Sequence, residues 1–268
     1  MPLEEERMTT VDFISDLFCR IDEAMKSLPK HPQAALWPSE VVTWGVLHAL
    51  KGVGNRAFYR WLERDYRPLF PRVPERTRLF RLFRTHRAWT TSFLAVPTLL
   101  GVIDTYGLEL IHPIREGRSP HQVGRKGLSN HRWIVGGKLC LLVNRFGLVV
   151  AWECGTANVH DTTFQPLVRQ VADQMLVLRD TAFHAADGDP PNLKLCRRGE
   201  WNDRILIETV LSMLTVICHF KKVMHRVWEY FQARLAFTMA AFNVLVQWHG
   251  LLTEVDGFVP LSIAEFSL

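Results

Sequence analysis

The change in hydrophobic spacing near residue 97 constrains the fold of this chain more than any other sequence feature. Before that point, apolar residues such as Ile14, Leu17 and Ile21 recur at helical intervals, and Pro-rich segments separate the helical stretches. After it, short continuous apolar runs are typical of buried strands. The pattern predicts an all-helical region over residues 1–95 and an α/β domain over residues 96–268. Helices are predicted in the first region at residues 11–28, 39–51, 55–64 and 75–93.

The second region predicts a mixed sheet flanked by helices. Its expected elements are a strand ending at Asp104, a hairpin of residues 134–143 and 148–152, a helix at 161–173, strands at 175–179 and 192–196, and long helices at 201–220 and 227–250. An early hairpin followed by a helical crossover implies antiparallel and then parallel pairing. Residues 115–132, rich in Arg, Gly, Ser and Pro, are predicted to form a loop.

The positive charge of the chain is concentrated in one short stretch. The formal net charge is +5, yet residues 51–91 alone carry eleven basic and three acidic side chains, and ten of the eleven are Arg. Such a stretch suits contact with a polyanion such as the DNA phosphate backbone, although a solvated helix face is the alternative. A helix-turn-helix over residues 39–65 is a weaker match. The arginines predicted to contact DNA are Arg56, Arg60, Arg64, Arg81 and Arg84.

Cysteine spacing and the N-terminal sequence bear on the cellular compartment. The five cysteines are widely spaced and include no C-x-x-C pair, which favours reduced thiols over disulfides or a zinc site. The residues after Met1 lack the basic and apolar segments of a secretory signal. Polar residues interrupt the most apolar stretch, 235–252, which is interpreted as a buried helix. We therefore expect a cytoplasmic protein with no membrane partner.

Three carboxylates stand in settings where an isolated charge is costly. Asp104 and Asp180 each follow an apolar strand, and Glu208 lies within an otherwise apolar helix. Such groups can converge on two divalent cations about 3.5–4 Å apart, an arrangement that serves phosphodiester chemistry. The alternatives are that the aspartates are turn residues and that Glu208 pairs with Arg204 at i−4. Other acids in the same region are Asp161, Asp187, Asp189 and Asp203.

The motifs around these acids resemble those of bacterial insertion-sequence transposases of the DDE type, over roughly residues 97–250. Trp201, Arg204 and Glu208 have the spacing of the family's Tyr-Arg-Glu signature, and Asp180-Thr-Ala-Phe183 is similar to its second-aspartate motif. The block from Gly136 to Asp161 resembles the family's strand hairpin. This chain departs from the family in having Trp at 201 and Thr at 215, where Tyr and often Lys occur, and in a short interval between Asp180 and Glu208.

The resemblance implies a ribonuclease-H-like catalytic domain that cleaves DNA and transfers strands at the ends of an insertion sequence. Asp104, Asp180 and Glu208 would be catalytic and would hold two Mg²⁺ ions, for which Mn²⁺ can substitute. Further DNA contacts are expected from Lys138, Trp201 and Arg204. The implied partners are double-stranded DNA, as terminal inverted repeats and target, and a second copy of the chain in a nucleoid-associated complex. A degenerate DNA-binding derivative, or a nuclease without strand transfer, is the alternative.

Overall fold

Helices form the first region, as the spacing predicts. The computed structural model describes residues 8–129, 131–180, 183–186, 188–196, 204–220 and 225–250. Its first four α-helices are α1 Thr10–Ala24, α2 Pro38–Lys51, α3 Asn55–Asp65 and α4 Arg76–Thr85. Helix α1 begins in a capping box formed by Thr9 and Asp12 and buries one apolar stripe. Helix α2 is buried along almost its whole length and ends at Gly52, whose φ of 64° suits glycine.

The predicted Arg-rich helix at 75–93 is too long. Helix α4 ends at Thr85, and residues Arg87–Phe93 form a 3-10 helix instead. The hydroxyl of Thr90 donates to the carbonyl of Arg87, and that of Thr91 donates to the carbonyl of Ala88. These short-range bonds compete with α-helical hydrogen bonding and favour the tighter turn.

A six-stranded mixed sheet forms the second region, in agreement with the predicted α/β class. The strands are β1 Leu100–Ile111, β2 Arg125–Ser129, β3 Arg132–Asn144, β4 Val149–Thr156, β5 Leu176–Arg179 and β6 Leu193–Leu195. Strand β3 pairs antiparallel with β1 on one side, while β2 and β4 share its other side end to end. Strand β5 lies parallel to β1, and β6 lies parallel to β5.

The prediction of an unbroken loop over residues 115–132 is wrong, because Arg125–Ser129 forms β2. The segment is polar and contains Gly127, so its composition gives little strand signal. Tertiary pairing with β3 supplies the missing preference. The backbone there packs so closely that a Cβ on Gly127 would lie 1.9 Å from the carbonyl oxygen of Ala157, which explains the glycine at this position.

Three α-helices accompany the sheet: α5 Gln165–Arg169, α6 Arg204–Ile217 and α7 Trp228–His249. The helix predicted at 161–173 is only partly α-helical, since Asp161–Phe164 is a 3-10 turn and α5 is short. Helix α7 packs against α2, α4, the 3-10 helix after α4, and β4. Among the described residues, no helix combines the length and apolarity needed to cross a bilayer.

Helix α7 also joins the two regions through a buried polar contact. The amide of Asn243 donates to the carbonyls of Phe93 and Val149, both at 2.8 Å, and its oxygen accepts from the Val149 N–H at 2.9 Å. One apolar core therefore contains residues from both sides of position 95. The boundary between two domains at residues 95 and 96 stays a prediction.

Candidate active site

Parallel pairing of β1 with β5 brings Asp104 and Asp180 side by side. The predicted strand end at Asp104 is wrong, because pairing with β3 extends β1 to Ile111, so Asp104 lies within β1 while Asp180 directly follows β5. Val102 is in register with Leu178, so Asp104 and Asp180 each stand two residues farther along neighbouring strands. Residues two apart in a strand share a face. Both aspartates line a cleft of about 510 Å³, together with Glu208 of α6. The three carboxylates predicted to act together are thus brought to one cleft by three different elements.

One face of α6 forms a wall of this cleft. Glu208, Leu211, Ser212 and Thr215 line it, at helical positions i, i+3, i+4 and i+7. Arg204 is the first residue of α6, but its side chain lies outside the described residues, as does the whole of Trp201. The pairing of Arg204 with Glu208 therefore stays a prediction. Thr215 occupies the place where a lysine would add positive charge to the cleft.

A buried arginine bridges the carboxylates of the cleft. The Arg179 side chain is 5% exposed, and its Nη1 pairs with Oδ1 of Asp104. Its Nη2 lies 3.3 Å from Oδ2 of Asp161, and its Nε lies 3.2 Å from Oδ1 of Asp180. The backbone N–H of Thr105 also donates to Asp104 Oδ1 at 2.6 Å. A guanidinium thus stands between acids that would otherwise repel one another.

Asp161 is a fourth carboxylate of the cleft, which the sequence reasoning named only among competing acids. Its Oδ1 lies 2.8 Å from Nζ of Lys138, and its Oδ2 accepts from the Thr105 hydroxyl at 3.2 Å. Lys138, predicted to contact DNA, is therefore largely engaged inside the cleft, where it also donates to the Val159 carbonyl. A signal was present, because the hairpin block that resembles the transposases ends on Asp161.

The lining of the cleft carries more acidic than basic charge. Four carboxylates and two cations face it among the described residues, namely Asp104, Asp161, Asp180, Glu208, Lys138 and Arg179. An all-oxygen donor set of this kind suits Mg²⁺. However, no group of three His, Cys, Asp or Glu side chains within the described residues is arranged to hold a metal ion. A cation bound by Asp104 and Asp180 would have to displace Arg179 from them.

The arginines of the first region lie outside this cleft. Arg56, Arg60 and Arg64 are exposed on α3, and Arg64 forms a bidentate pair with Asp65, at 2.6 and 2.8 Å. On α4, Arg81 is exposed. Arg84 is half-buried, with its guanidinium 5.4 Å from the centre of the Tyr230 ring. Arg56, Arg60 and Arg81 thus keep the exposure that phosphate contact requires.

A second basic surface, absent from the predicted DNA contacts, borders the cleft. The ribbon of β2 and β3 exposes Arg125, Lys126 and Arg132, and Leu128 and Ser129 of β2 line the cleft itself. Trp133 is exposed beside them, with the Lys126 ammonium 5.5 Å from its ring centre. A two-stranded ribbon of this kind can enter the major groove of DNA. The loop prediction for residues 115–132 concealed this surface.

Comparison with known proteins assigns no family to this arrangement of residues. Neither the protein-family models nor the sequences of curated proteins match the chain. The case for a function therefore depends on the carboxylate cleft and the basic surfaces around it.

Proposed function

We propose that the protein is a DDE-type transposase that cleaves DNA and joins strands at the ends of an insertion sequence. The observation that carries the proposal is the meeting of Asp104, Asp180 and Glu208 in one open cleft. These residues come from β1, the end of β5 and α6, in the chain order of the family signature. A cluster of acids on adjacent parallel strands is costly, and a role in binding cations would account for it.

The proposed chemistry assigns a role to each group of the cleft. Asp104, Asp180 and Glu208 would hold two Mg²⁺ or Mn²⁺ ions. When bound, such ions supply an activated water or DNA 3′-hydroxyl and stabilise the leaving oxygen. Before binding, Arg179 neutralises Asp104 and Asp180, and Lys138 neutralises Asp161. Once displaced, the Arg179 guanidinium remains close enough to contact a phosphate, a task suited to its planar fork of donors.

The sheet supports a ribonuclease-H-like fold for the catalytic region. Its early strands pair antiparallel, and β1, β5 and β6 are mutually parallel. This is the order of pairing that the family resemblance leads us to expect. The parallel pairing places Asp104 of β1 beside Asp180, at the carboxyl end of β5, and ligands bind beyond such strand ends in sheets of this type.

The basic surfaces support double-stranded DNA as the substrate. Arg56, Arg60 and Arg81 are exposed on the helical region, and the β2–β3 ribbon adds further cations beside the cleft. Phosphate contacts fix the position of a duplex without reading its sequence. A complex that holds two element ends together would contain two copies of the chain, so we propose a homodimer in the DNA complex.

Arg179 also favours a second candidate, a DNA-binding protein derived from a transposase that has lost its chemistry. A guanidinium that pairs with Asp104, Asp161 and Asp180 competes with any metal ion. In such a protein, calorimetric titration with Mn²⁺ would show no binding that depends on Asp104, while DNA binding would persist.

The proposal is tested by cleavage of duplex DNA carrying the terminal inverted repeats that flank the gene. With Mg²⁺ or Mn²⁺, we expect cleavage by the wild type and a loss of roughly a thousandfold, ~4 kcal/mol, in Asp104→Asn. Glu153→Gln is the matched control, because Glu153 is exposed on β4 and lies outside the cleft. Equal cleavage by the wild type and Asp104→Asn would refute a catalytic role for this cleft. Adding target DNA separates a transposase, which yields joined products, from a nuclease, which does not.

A further inference from the structure

A second cavity, of about 500 Å³, lies among α2, the loop after it and the first residues of α3 and α7. No carboxylate is among its described lining residues, which include two arginines and two histidines. We refer to it as the cationic cavity. The residues used in the argument are His48, Gly54, His225, Arg226 and Arg234.

The cationic cavity contains a buried positive charge with no acidic partner. Arg234 is 6% exposed, and its guanidinium donates to the carbonyls of His48 and Ala49 near the end of α2. Within the described part of the chain, no carboxylate forms an ion pair with it. Burial lowers the pKa of Arg234 to about 10, so it stays charged at neutral pH. Buried charges in proteins are normally paired, so an anion bound in the cavity would stabilise this one.

The N-terminus of α3 opens into the same cavity. Its N-cap residue is Gly54, which offers no side chain to the first N–H groups of the helix. A Cβ on Gly54 would meet no atom within 4 Å, so the space in front of the helix end is open. The partial positive charge and free N–H groups at a helix N-terminus favour phosphate and other anions.

A buried histidine supplies a third, independent indication. His48 is 5% exposed and lines the cavity, and its Nε2 has no hydrogen-bond partner that meets the usual geometry among the described residues. The backbone of Val53, which also lines the cavity, interacts with the ring. Leaving a buried ring nitrogen unsatisfied is costly. A ligand with several acceptor oxygens would satisfy it together with Arg234 and the N–H groups of α3.

We propose that the cationic cavity is a phosphate-binding site. A phosphate group carries the negative charge that would complement Arg234 and Arg226. Its oxygens accept hydrogen bonds from guanidinium, imidazole and backbone N–H donors alike. The group belongs either to the DNA backbone or to a free phosphate. The assignment to DNA rests on the proposed function, whereas the existence of the site does not.

The surroundings of the cavity favour the DNA backbone as the source. Arg56 and Arg60 are exposed on α3, the helix whose N-terminus faces the cavity. Helix α6 carries Glu208 of the cleft, and His219, just beyond its end, packs against Gly52 of the cavity. The rise of α6 from Glu208 to its end is about 14 Å. This short path along α6 makes it feasible for a single duplex, whose helical turn is about 34 Å long, to contact both sites.

The site is tested first with inorganic phosphate and the full chain, in EDTA and at constant ionic strength. Phosphate should raise the melting temperature of the wild type. Gly54→Asp places a carboxylate at the open helix end, so it should cap α3 and keep the protein folded while weakening phosphate binding at least tenfold. Gly54→Ser, a cap without charge, should retain more of the binding. Identical phosphate-induced shifts in the wild type, Gly54→Asp and Arg226→Gln would overturn the proposal, since a general salt effect acts on all of them.

The second arm measures duplex DNA binding as a function of salt, without divalent metal and in the Asp104→Asn background. For DNA in the cavity, Arg226→Gln should reduce the salt slope by about one, and Arg145→Gln, on the distant hairpin turn, should leave it unchanged. Loss of phosphate binding with unchanged DNA binding would support a free-phosphate site and overturn the DNA source. Because neither arm requires cleavage, both outcomes are independent of whether the carboxylate cleft is catalytic.

Discussion

The carboxylate cleft and the cationic cavity are almost equal in volume, at about 510 and 500 Å³, but opposite in charge. Four carboxylates line the first, and it contains its own cations, Arg179 and Lys138, which pair with them. The second contains Arg234, whose guanidinium donates to two backbone carbonyls and forms no ion pair with a carboxylate of the described residues. The cleft is therefore neutralised in part from within, whereas the described residues provide no such neutralisation in the cavity.

This difference shows that the free-energy cost of burying charge can be offset in two ways, by a side chain of opposite charge or by a bound ligand. Burying charge is tolerated when a partner of opposite sign is near or when a ligand supplies one. In the cleft, Arg179 fills the position that we propose for a metal ion, so a cation must compete for entry. In the cavity no acidic side chain of the described residues competes, and an anion can enter without displacing one of them.

The largest expected effect is a loss of stability on mutation of Asn243. It tests whether the cleft and the cavity belong to one cooperative folding unit. Asn243 of α7 ties the helical region to β4 through three hydrogen bonds. Asn243→Leu removes the partner of the Val149 N–H and of the Phe93 carbonyl, while the Val149 carbonyl still accepts from the Ala95 N–H, and it should lower the free energy of unfolding by about 3 kcal/mol. Chemical denaturation followed by both fluorescence and circular dichroism should still show one transition. Two separate transitions would mean that the sites lie in independently folding units.

The next effect concerns the contribution of the cationic cavity to acid stability. Burial, together with the charge of Arg234, lowers the pKa of His225 to about 4 and holds the pKa of His48 well below its usual value. Arg226 is the other charged group that lines the cavity beside them. Since the unfolded chain takes up these protons at higher pH, stability is full above about pH 6.5 and falls as the pH drops toward 4.

Between pH 7 and pH 5, His225 should account for roughly 2 kcal/mol of this loss. In phosphate-free buffer, the free energy of unfolding of His225→Gln should fall by roughly 2 kcal/mol less than that of the wild type over the same pH range. His160→Gln is a suitable control, because His160 is exposed in the turn before α5. The same pH dependence in His225→Gln and the wild type would show that this histidine titrates normally.

The smallest effect tests whether Arg179 competes for the carboxylates of the cleft. Arg179→Gln removes the cation that pairs with Asp104, Asp161 and Asp180. Binding of Mn²⁺, measured by calorimetry, should become about tenfold tighter, ~1.4 kcal/mol. Arg179→Lys retains the charge and should stay near the wild type. Unchanged or weaker binding in Arg179→Gln would show that the arginine supports the cleft instead of blocking it.

Much of the fold followed from local pattern. Helical spacing predicted α1, α2 and α3, and apolar runs predicted β1, β5 and the hairpin of β3 with β4, with boundaries that differ by only a few residues apart from the longer C-terminal end of β1. The errors lie where tertiary contacts outweigh propensity. Strand β2 exists because β3 pairs with it, and the helix predicted over 75–93 is cut short by hydrogen bonds from Thr90 and Thr91.

The candidate site divides in the same way. The sequence by itself predicted the three carboxylates and the helices that expose the arginines, because apolar runs, helix faces and charge are local properties. Only the tertiary structure decided that Asp161 and Arg179 join the cleft, that Lys138 is engaged there, and that Arg234 is buried with no carboxylate of the described residues paired to it. Those facts depend on groups far apart in the chain, such as Arg179 and Asp104, 75 positions apart. Spacing along the sequence carries no information about such contacts, since folding alone sets the distance between the groups.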